Sequence, residues 1–112
     1  MTATQLDAVR VLTGIIRRGE EADLPRLAWD VRPYTSAGLS GQPWGGTDDE
    51  RAAVVAAWAR HLDVEVTTEK HDTYVSVSLA TRVHGIRVRI FAHTARTYTY
   101  VSVPAVKAGA ES

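Results

Sequence analysis

Apolar and polar residues alternate along this chain with two different periods, and the first is helical. Near the N-terminus, apolar residues recur every three to four positions, at Leu6, Val9, Leu12 and Ile16. This spacing predicts an amphipathic helix over about residues 4–18 that buries this face. Thr2 or Thr4 is suited to cap its start, and Gly19 is suited to close its end in a left-handed conformation.

A second helix is predicted from a capping box. Thr47 is followed three residues later by Glu50, so each side chain can accept a hydrogen bond from the other residue's backbone N–H. The helix that follows carries an apolar face at Val54, Val55, Trp58 and Leu62. We expect Trp58 to pack on the apolar face of the sheet.

The other segments have a period of two, which is typical of half-buried strands. Leu27, Trp29 and Val31 form a first strand, and residues 39–42 are expected to pair with it. After the second helix, three further strands carry apolar positions at Val64 and Val66, at Val75, Val77 and Leu79, and at Ile86, Val88, Ile90 and Ala92.

Turns and ends complete the pattern. The dipeptide His71-Asp72 and residues 82–85 are predicted turns, and residues 97–103 are a candidate last strand. The order is therefore α-β-(β)-α-β-β-β-(β), with the shorter patterns in brackets. We expect an α+β fold: a two-layer sandwich with two helices over one face of a mainly antiparallel sheet of four to six strands. Residues 1–104 fit a single domain, and 105–112 a frayed tail.

The composition is that of an ordinary globular domain, with 45% apolar and 23% charged residues. The chain has no cysteine, which excludes disulfides and thiolate chemistry. Neither a leader peptide nor a bilayer-spanning apolar stretch is recognisable in the sequence. We therefore expect a cytoplasmic protein without a membrane partner.

Charge is distributed unevenly, although the formal net charge is zero. Residues 1–72 hold 8 basic and 12 acidic residues, whereas residues 73–112 hold 5 basic residues and 1 acidic residue, Glu111. The late strands therefore carry basic residues with no acidic residue between them. Either acidic residues such as Glu65 and Glu69 neutralise them in the fold, or they offer a positive surface to a partner.

No pattern specifies catalysis, a metal or a cofactor. The four histidines lack the spacing typical of zinc ligands. The segment Gly38-Leu39-Ser40-Gly41 lacks the strand–turn–helix setting of a nucleophilic serine, and residues 38–46 lack the lysine of a phosphate-binding loop. The acidic run Asp48-Asp49-Glu50 is explained by its place at a helix start. We predict a non-enzymatic protein with no cofactor and no metal.

The candidate binding residues lie on the polar side of the late strands. Arg87 and Arg89 point the same way, one pleat apart, and we expect Tyr74 and Phe91 to share their face. Basic residues interleaved with aromatic residues on a sheet can bind a protein partner or single-stranded nucleic acid. Trp44 is a further candidate, because an aromatic residue in a glycine-rich loop is either a lid on the core or an anchor for a partner.

Several segments follow one another in a recognisable order: Asp48-Asp49-Glu50-Arg51 leading to Ala57-Trp58-Ala59, then Tyr74-Val75-Ser76-Val77-Ser78 and Gly85-Ile86-Arg87-Val88. In these segments the chain resembles small proteins of actinobacteria and their phages that have no established activity. The resemblance implies an α+β fold and a cytoplasmic setting, and it assigns no functional residue.

We therefore expect a non-enzymatic protein-interaction or accessory protein of actinobacterial or phage type, which binds a protein partner or associates with itself. The alternative is a nucleic-acid-binding module that uses a basic open sheet face.

Overall fold

The computed structural model describes residues 4–32 and 38–100 of the chain. Within these ranges, two helices and five strands follow one another: α1 Gln5–Glu21, β1 Leu27–Val31, β2 Leu39–Pro43, α2 Asp48–Leu62, β3 Thr67–Lys70, β4 Tyr74–Val83 and β5 Ile86–Ala95. The predicted α+β class and the order α-β-β-α-β-β-β are confirmed.

The described strands form one sheet in the order β1-β2-β5-β4-β3. Strands β3, β4 and β5 make the predicted antiparallel meander, and β1 pairs with β2 in the antiparallel sense. Strands β2 and β5 are parallel, with Leu39 opposite Val88 and Gly41 opposite Ile90. The parallel pair follows from α2, which carries the chain from β2 across the sheet to its far edge at β3.

The core lies between α2 and one face of the sheet, which we call the inner face. The largest side chains of β4 and β5 that are fully buried there are Val77, Leu79, Val88 and Ile90. Trp58 and Val55 of α2 belong to the same cluster, so the predicted packing is confirmed. The indole Nε1 of Trp58 donates to the carbonyl oxygen of Pro25 at 2.9 Å, which satisfies the polar group of this buried ring.

Helix α1 buries a different face from the predicted one. The buried residues are Ala8, Ile15 and Gly19, whereas Leu6, Val9 and Ile16 are 58%, 41% and 37% exposed. The predicted role of Gly19 as a helix end is wrong, because α1 continues to Glu21. A Cβ atom at Gly19 would lie 2.5 Å from Cη2 of Trp58. The helix therefore presents a position without a side chain to the largest ring of the core.

The helix starts follow the prediction. Thr4 and Thr47 each accept a hydrogen bond from the backbone N–H three residues on, and the acidic residue there accepts in return. Each helix thus begins with a capping box. Thr2, the alternative cap, lies outside the described residues.

Three strand limits differ from the predicted ones. Strand β3 begins at Thr67, so both predicted apolar positions, Val64 and Val66, precede it, and the strand itself is exposed along its length. The turn between β4 and β5 is His84-Gly85 alone, with φ of +49° and +80°, as a two-residue hairpin turn requires. The predicted four-residue turn was too long. Residues 97–100 form no strand, and residues 101–103 and the expected tail lie outside the described ranges.

Candidate functional site

The sheet face turned away from α2, which we call the open face, carries four of the five candidate residues. Because side chains alternate along a strand, Tyr74 on β4 and Arg87, Arg89 and Phe91 on β5 all point to it. Both described helices lie on the other side, α2 against β2, β4 and β5 and α1 against β1. The expectation that these residues share one face is confirmed, and their role in binding stays a prediction.

Four rings form a continuous column at this face, which we call the ring stack: His71, Tyr74, His93 and Phe91. The ring centroids of His71 and Tyr74 are 4.4 Å apart with planes at 21°, and those of Tyr74 and His93 are 4.3 Å apart with planes at 33°. Two imidazoles this close and this nearly parallel fit only on opposite faces of Tyr74. Phe91 continues the column, 5.2 Å from His93.

Arg89 closes the column at its other end. Its guanidinium carbon lies 4.3 Å from the centroid of the Phe91 ring, a cation–π contact. The ring faces of Tyr74 and Phe91 are therefore occupied by side chains of the chain itself. Single-stranded nucleic acid needs free ring faces on which bases can stack, so the ring stack is poorly suited to that role.

The backbone beneath the ring stack is tied to the start of α2. Nη1 of Arg51 donates to the carbonyl oxygen of His93, and the N–H of Ala95 donates to Oδ2 of Asp48 at 3.0 Å. These bonds occupy backbone groups of β5 beyond Ile90, where its pairing with β2 ends. The helix start thus holds the end of β5 in place.

His93 is kept neutral by its surroundings. Burial, together with the positive charges of Arg89 and Arg51, lowers the pKa of His93 below its ordinary value. The neighbouring His71 acts in the same direction. Near pH 7 the ring that stacks on Tyr74 from this side is therefore an uncharged imidazole.

Three arginines gather at the turn end of the open face. Arg82 lies directly opposite Arg87, and Ala80 lies directly opposite Arg89. The four positions are corners of a rectangle of about 5 Å across the strands and about 7 Å along them. We call this group the arginine rectangle. Nη1 of Arg82 donates to the carbonyl oxygen of Gly85 at 3.2 Å, which holds this side chain along the turn.

The carboxylates of the open face already have partners. Oε1 of Glu69 lies 3.2 Å from Nε2 of His71, at the far end of the ring stack. Oδ2 of Asp30 accepts a hydrogen bond from Nε of Arg32, at the β1 edge. The contact of Glu69 lies away from the arginine rectangle, whereas Asp30 lies in the same cross-strand row as Arg89, with Ser40 between them.

Within the described residues, no carboxylate forms an ion pair with Arg82, Arg87 or Arg89. The alternative in which Glu65 or Glu69 neutralises the late strands is therefore not found. Among the described residues, the arginine rectangle is thus a concentration of positive charge without an ion-paired carboxylate.

Trp44 lies apart from the open face. It is 76% exposed, so of its two predicted roles the lid on the core is wrong. Its ring borders a groove of about 240 Å³ that is also lined by Trp29, Trp58 and Ile16 of α1. An exposed indole beside such a groove has the chemistry of a partner anchor, and that role stays a prediction.

A second cavity, of about 410 Å³, lies between α2 and the segment after β5. Tyr98 hydrogen bonds to Asp49 there, and burial and this bond raise the pKa of the phenol. Tyr98 is therefore protonated near neutral pH and ties the segment to α2. This contact holds the segment after β5 against α2, which is a structural role.

Metal clusters and membrane-spanning helices were both sought among the residues that the structure describes. No three histidine or carboxylate side chains there come close enough together to hold a metal ion. Neither described helix is long and apolar enough to cross a bilayer.

Sequence reasoning missed Arg82, His71 and His93 as parts of the site. The predicted turn included Arg82. The dipeptide His84-Gly85 was the missed signal, because glycine after a residue that tolerates positive φ is typical of a two-residue hairpin turn. Once the turn is His84-Gly85, the register places Arg82 opposite Arg87. The histidines were treated only as metal ligands, and their stacking depends on contacts that one sequence does not reveal.

Comparison of the chain with models of protein families, with curated proteins and with solved structures gave no match. The resemblance to actinobacterial and phage proteins stays a prediction, and the function has to be argued from the site.

Proposed function

We propose that this chain is a non-enzymatic protein-interaction protein that binds an acidic segment of a partner through the open face. The observation that carries the proposal is the arginine rectangle beside the ring stack. It is positive charge without an ion-paired carboxylate in the described residues, next to half-buried aromatic side chains. Arginine and tyrosine are the residues that most often dominate the energetics of protein interfaces.

The open face is also held in one arrangement before any partner binds. Ser76, whose cross-strand neighbours are Glu69 and His93, is only 2% exposed, so the side chains around it are closely packed. Arg89 is held on the ring of Phe91. Side chains that are already ordered lose less entropy on binding, which favours affinity.

A second copy of the chain is a less suitable partner for this face. In a two-fold symmetric dimer the same patch meets itself, so the arginine rectangle would face its own charges unless the patches were offset. Like charges brought together at an interface oppose association. An acidic segment of a different protein avoids this repulsion.

The alternative function is binding of single-stranded nucleic acid, which the three arginines favour. Two features argue against it. The ring faces are occupied, and Glu69 lies at the end of the ring stack, whereas a nucleic-acid groove carries positive charge along the whole path of the strand.

The proposal is tested by charge reversal. The tagged wild-type chain, the variant Arg87→Glu/Arg89→Glu and the control Arg10→Glu/Arg17→Glu on α1 are used to capture proteins from native host lysate. We expect proteins captured by the wild type and the control to be lost with the open-face variant, while circular dichroism shows all three folded. Equal capture by all three would contradict the proposal.

Two further measurements separate the alternatives. Sedimentation of the wild type over a range of concentrations detects self-association, and its loss in the open-face variant alone would make a second copy the partner. Fluorescence anisotropy with a labelled oligo(dT) detects nucleic acid. Tight binding that weakens steeply with salt would replace the proposed function by the alternative.

A further inference from the structure

We propose that the arginine rectangle is a site for the phosphoryl group of a phosphorylated side chain. This inference rests on the proposed function and names what the open face recognises in its partner. It goes beyond general positive charge, because it assigns one chemical group to three arginines and the alanine at the fourth corner.

The shape of the site fits a single anion. Three corners of the rectangle carry guanidinium groups, and the fourth carries only the exposed methyl group of Ala80. Ala80 therefore leaves open space opposite Arg89 and beside Arg82. From corners about 5 Å and 7 Å apart, the arginine side chains are long enough to reach one common point above that space when Arg82 leaves the carbonyl oxygen of Gly85 and Arg89 leaves the ring of Phe91.

The charge fits a phosphoryl group better than a carboxylate. A phosphorylated side chain carries nearly two negative charges and three strong acceptor oxygens near pH 7. A carboxylate has one charge, and a single bidentate arginine satisfies much of its acceptor capacity. Three guanidinium groups with no carboxylate partner in the described residues match the larger charge.

Two of the three arginines are held by contacts within the chain. Arg82 is held by its hydrogen bond to the carbonyl oxygen of Gly85, and Arg89 by the ring of Phe91. Arg82 and Arg87 are direct cross-strand neighbours, an arrangement that is unfavourable for two like charges. A dianion between them turns this repulsion into attraction.

The site is reachable from the sheet edge and from above. On the β3 side of β4, the pairing ends where Thr67 meets Ser78, so on this side no described strand pairs with Ala80 or Arg82. On the other side, Gly38 lies next to the backbone of Arg87 and has no side chain. A partner segment can therefore extend over the arginine rectangle and onto the ring stack.

The test uses the full chain, labelled with ¹⁵N, and three blocked peptides that differ only at the central position between glycines: phosphoserine, glutamate and serine. We expect the phosphoserine peptide to shift the amide signals of residues 80–89 in a saturable way. The glutamate peptide should bind at least about tenfold more weakly than the phosphoserine peptide, because it offers fewer charge-assisted hydrogen bonds. The serine peptide should leave the spectrum unchanged.

Two variants and a control locate the effect. Arg82→Gln/Arg87→Gln should abolish the shifts. Ala80→Glu should abolish them as well, because its carboxylate takes the place of the ligand opposite Arg89. The control Arg10→Gln/Arg17→Gln removes the same charge from α1 and should bind as the wild type does.

Three outcomes overturn the inference: equal binding of the phosphoserine and glutamate peptides, shifts scattered over the whole surface, or shifts that survive both variants. A tighter complex of oligo(dT) at residues 80–89 also overturns it, because the group recognised is then a nucleic-acid phosphodiester. None of the peptide results alone contradicts the proposed function, which is decided separately by the capture, sedimentation and oligo(dT) measurements.

Discussion

The two faces of the β4–β5 hairpin are built from the same ten-residue strands and follow different rules. On the inner face, Val77 and Ile90 are fully buried, and any apolar side chain of suitable size would serve there. On the open face, Tyr74 and Arg89 depend on which residue stands opposite and beside them. Burial is non-directional, whereas stacking and charge pairing are directional. We therefore expect the inner face to determine stability and the open face to determine binding.

The largest effect is expected from the inner face. Trp58→Ala removes the largest ring of the core, and we expect it to lower the free energy of unfolding by about 3–5 kcal/mol. The loss combines the transfer free energy of the ring with the cavity that remains. Chemical denaturation at 25 °C measures it. A change below about 1 kcal/mol would show that α2 does not pack on the inner face as described.

The next effect concerns the fit between α1 and that ring. Gly19→Ala places a methyl group against Cη2 of Trp58, and we expect a loss of about 1–3 kcal/mol, which is typical of overpacking. Gly45→Ala is the matched control, because a Cβ atom there meets nothing within 4 Å. Stability of Gly19→Ala equal to that of the control would mean that α1 and α2 are not in contact at this point.

The third effect lies where the two faces are joined. Thr47→Ala removes the cap of α2, and we expect a loss of about 1 kcal/mol. Because the first turn of α2 holds the carbonyl oxygen of His93 through Arg51, the ¹H signals of the His93 ring should shift too. Thr13→Ala is the control, since Thr13 is exposed within α1 and caps nothing. If the ¹H signals of the His93 ring do not shift, the start of α2 does not influence the ring stack.

The fold was predictable to the extent that each element carries its own pattern. The capping box at Thr47 and the period of two in β4 and β5 depend on neighbours in sequence. The orientation of α1 was not predictable, because it depends on Gly19 meeting Trp58 far along the chain. The parallel pairing of β2 with β5 is likewise a long-range contact.

The candidate site was predictable only in part for the same reason. Alternation alone placed Arg87 and Arg89 on one face with Phe91. The arginine rectangle required the turn length, since a turn longer by two residues removes Arg82 from the strand. The ring stack depends on tertiary contacts around Tyr74, and these cannot be predicted from the periodicity of the sequence.

A smaller effect is expected on the open face as the pH falls. The folded chain holds the pKa of His93 below the unfolded value of about 6.5. The unfolded chain therefore binds more protons as the pH drops below about 6.5, and the contribution of this residue to stability decreases there. His93→Gln should flatten the dependence of unfolding free energy on pH between about 6.5 and 5. An unchanged slope in the variant would show that the imidazole is not shielded within the ring stack.

The smallest effect has the opposite sign. Arg82 and Arg87 stand directly opposite each other, and like charges in such pairs destabilise a hairpin by about 0.2–1 kcal/mol. Both side chains are exposed, so we expect Arg87→Gln to raise the unfolding free energy by an amount at the low end of that range. The gain should disappear in about 1 M salt, where charges interact over only a few ångströms.

Arg10→Gln is the control, because Arg10 lies in the attractive field of Asp7 and its loss should be neutral or slightly destabilising. A residue whose removal stabilises the chain and weakens binding of the phosphoserine peptide is maintained for binding rather than for folding. If Arg87→Gln instead lowers stability at low salt, an anionic group of the chain already neutralises the arginine rectangle, and the contrast between the two faces is lost at this end of the hairpin.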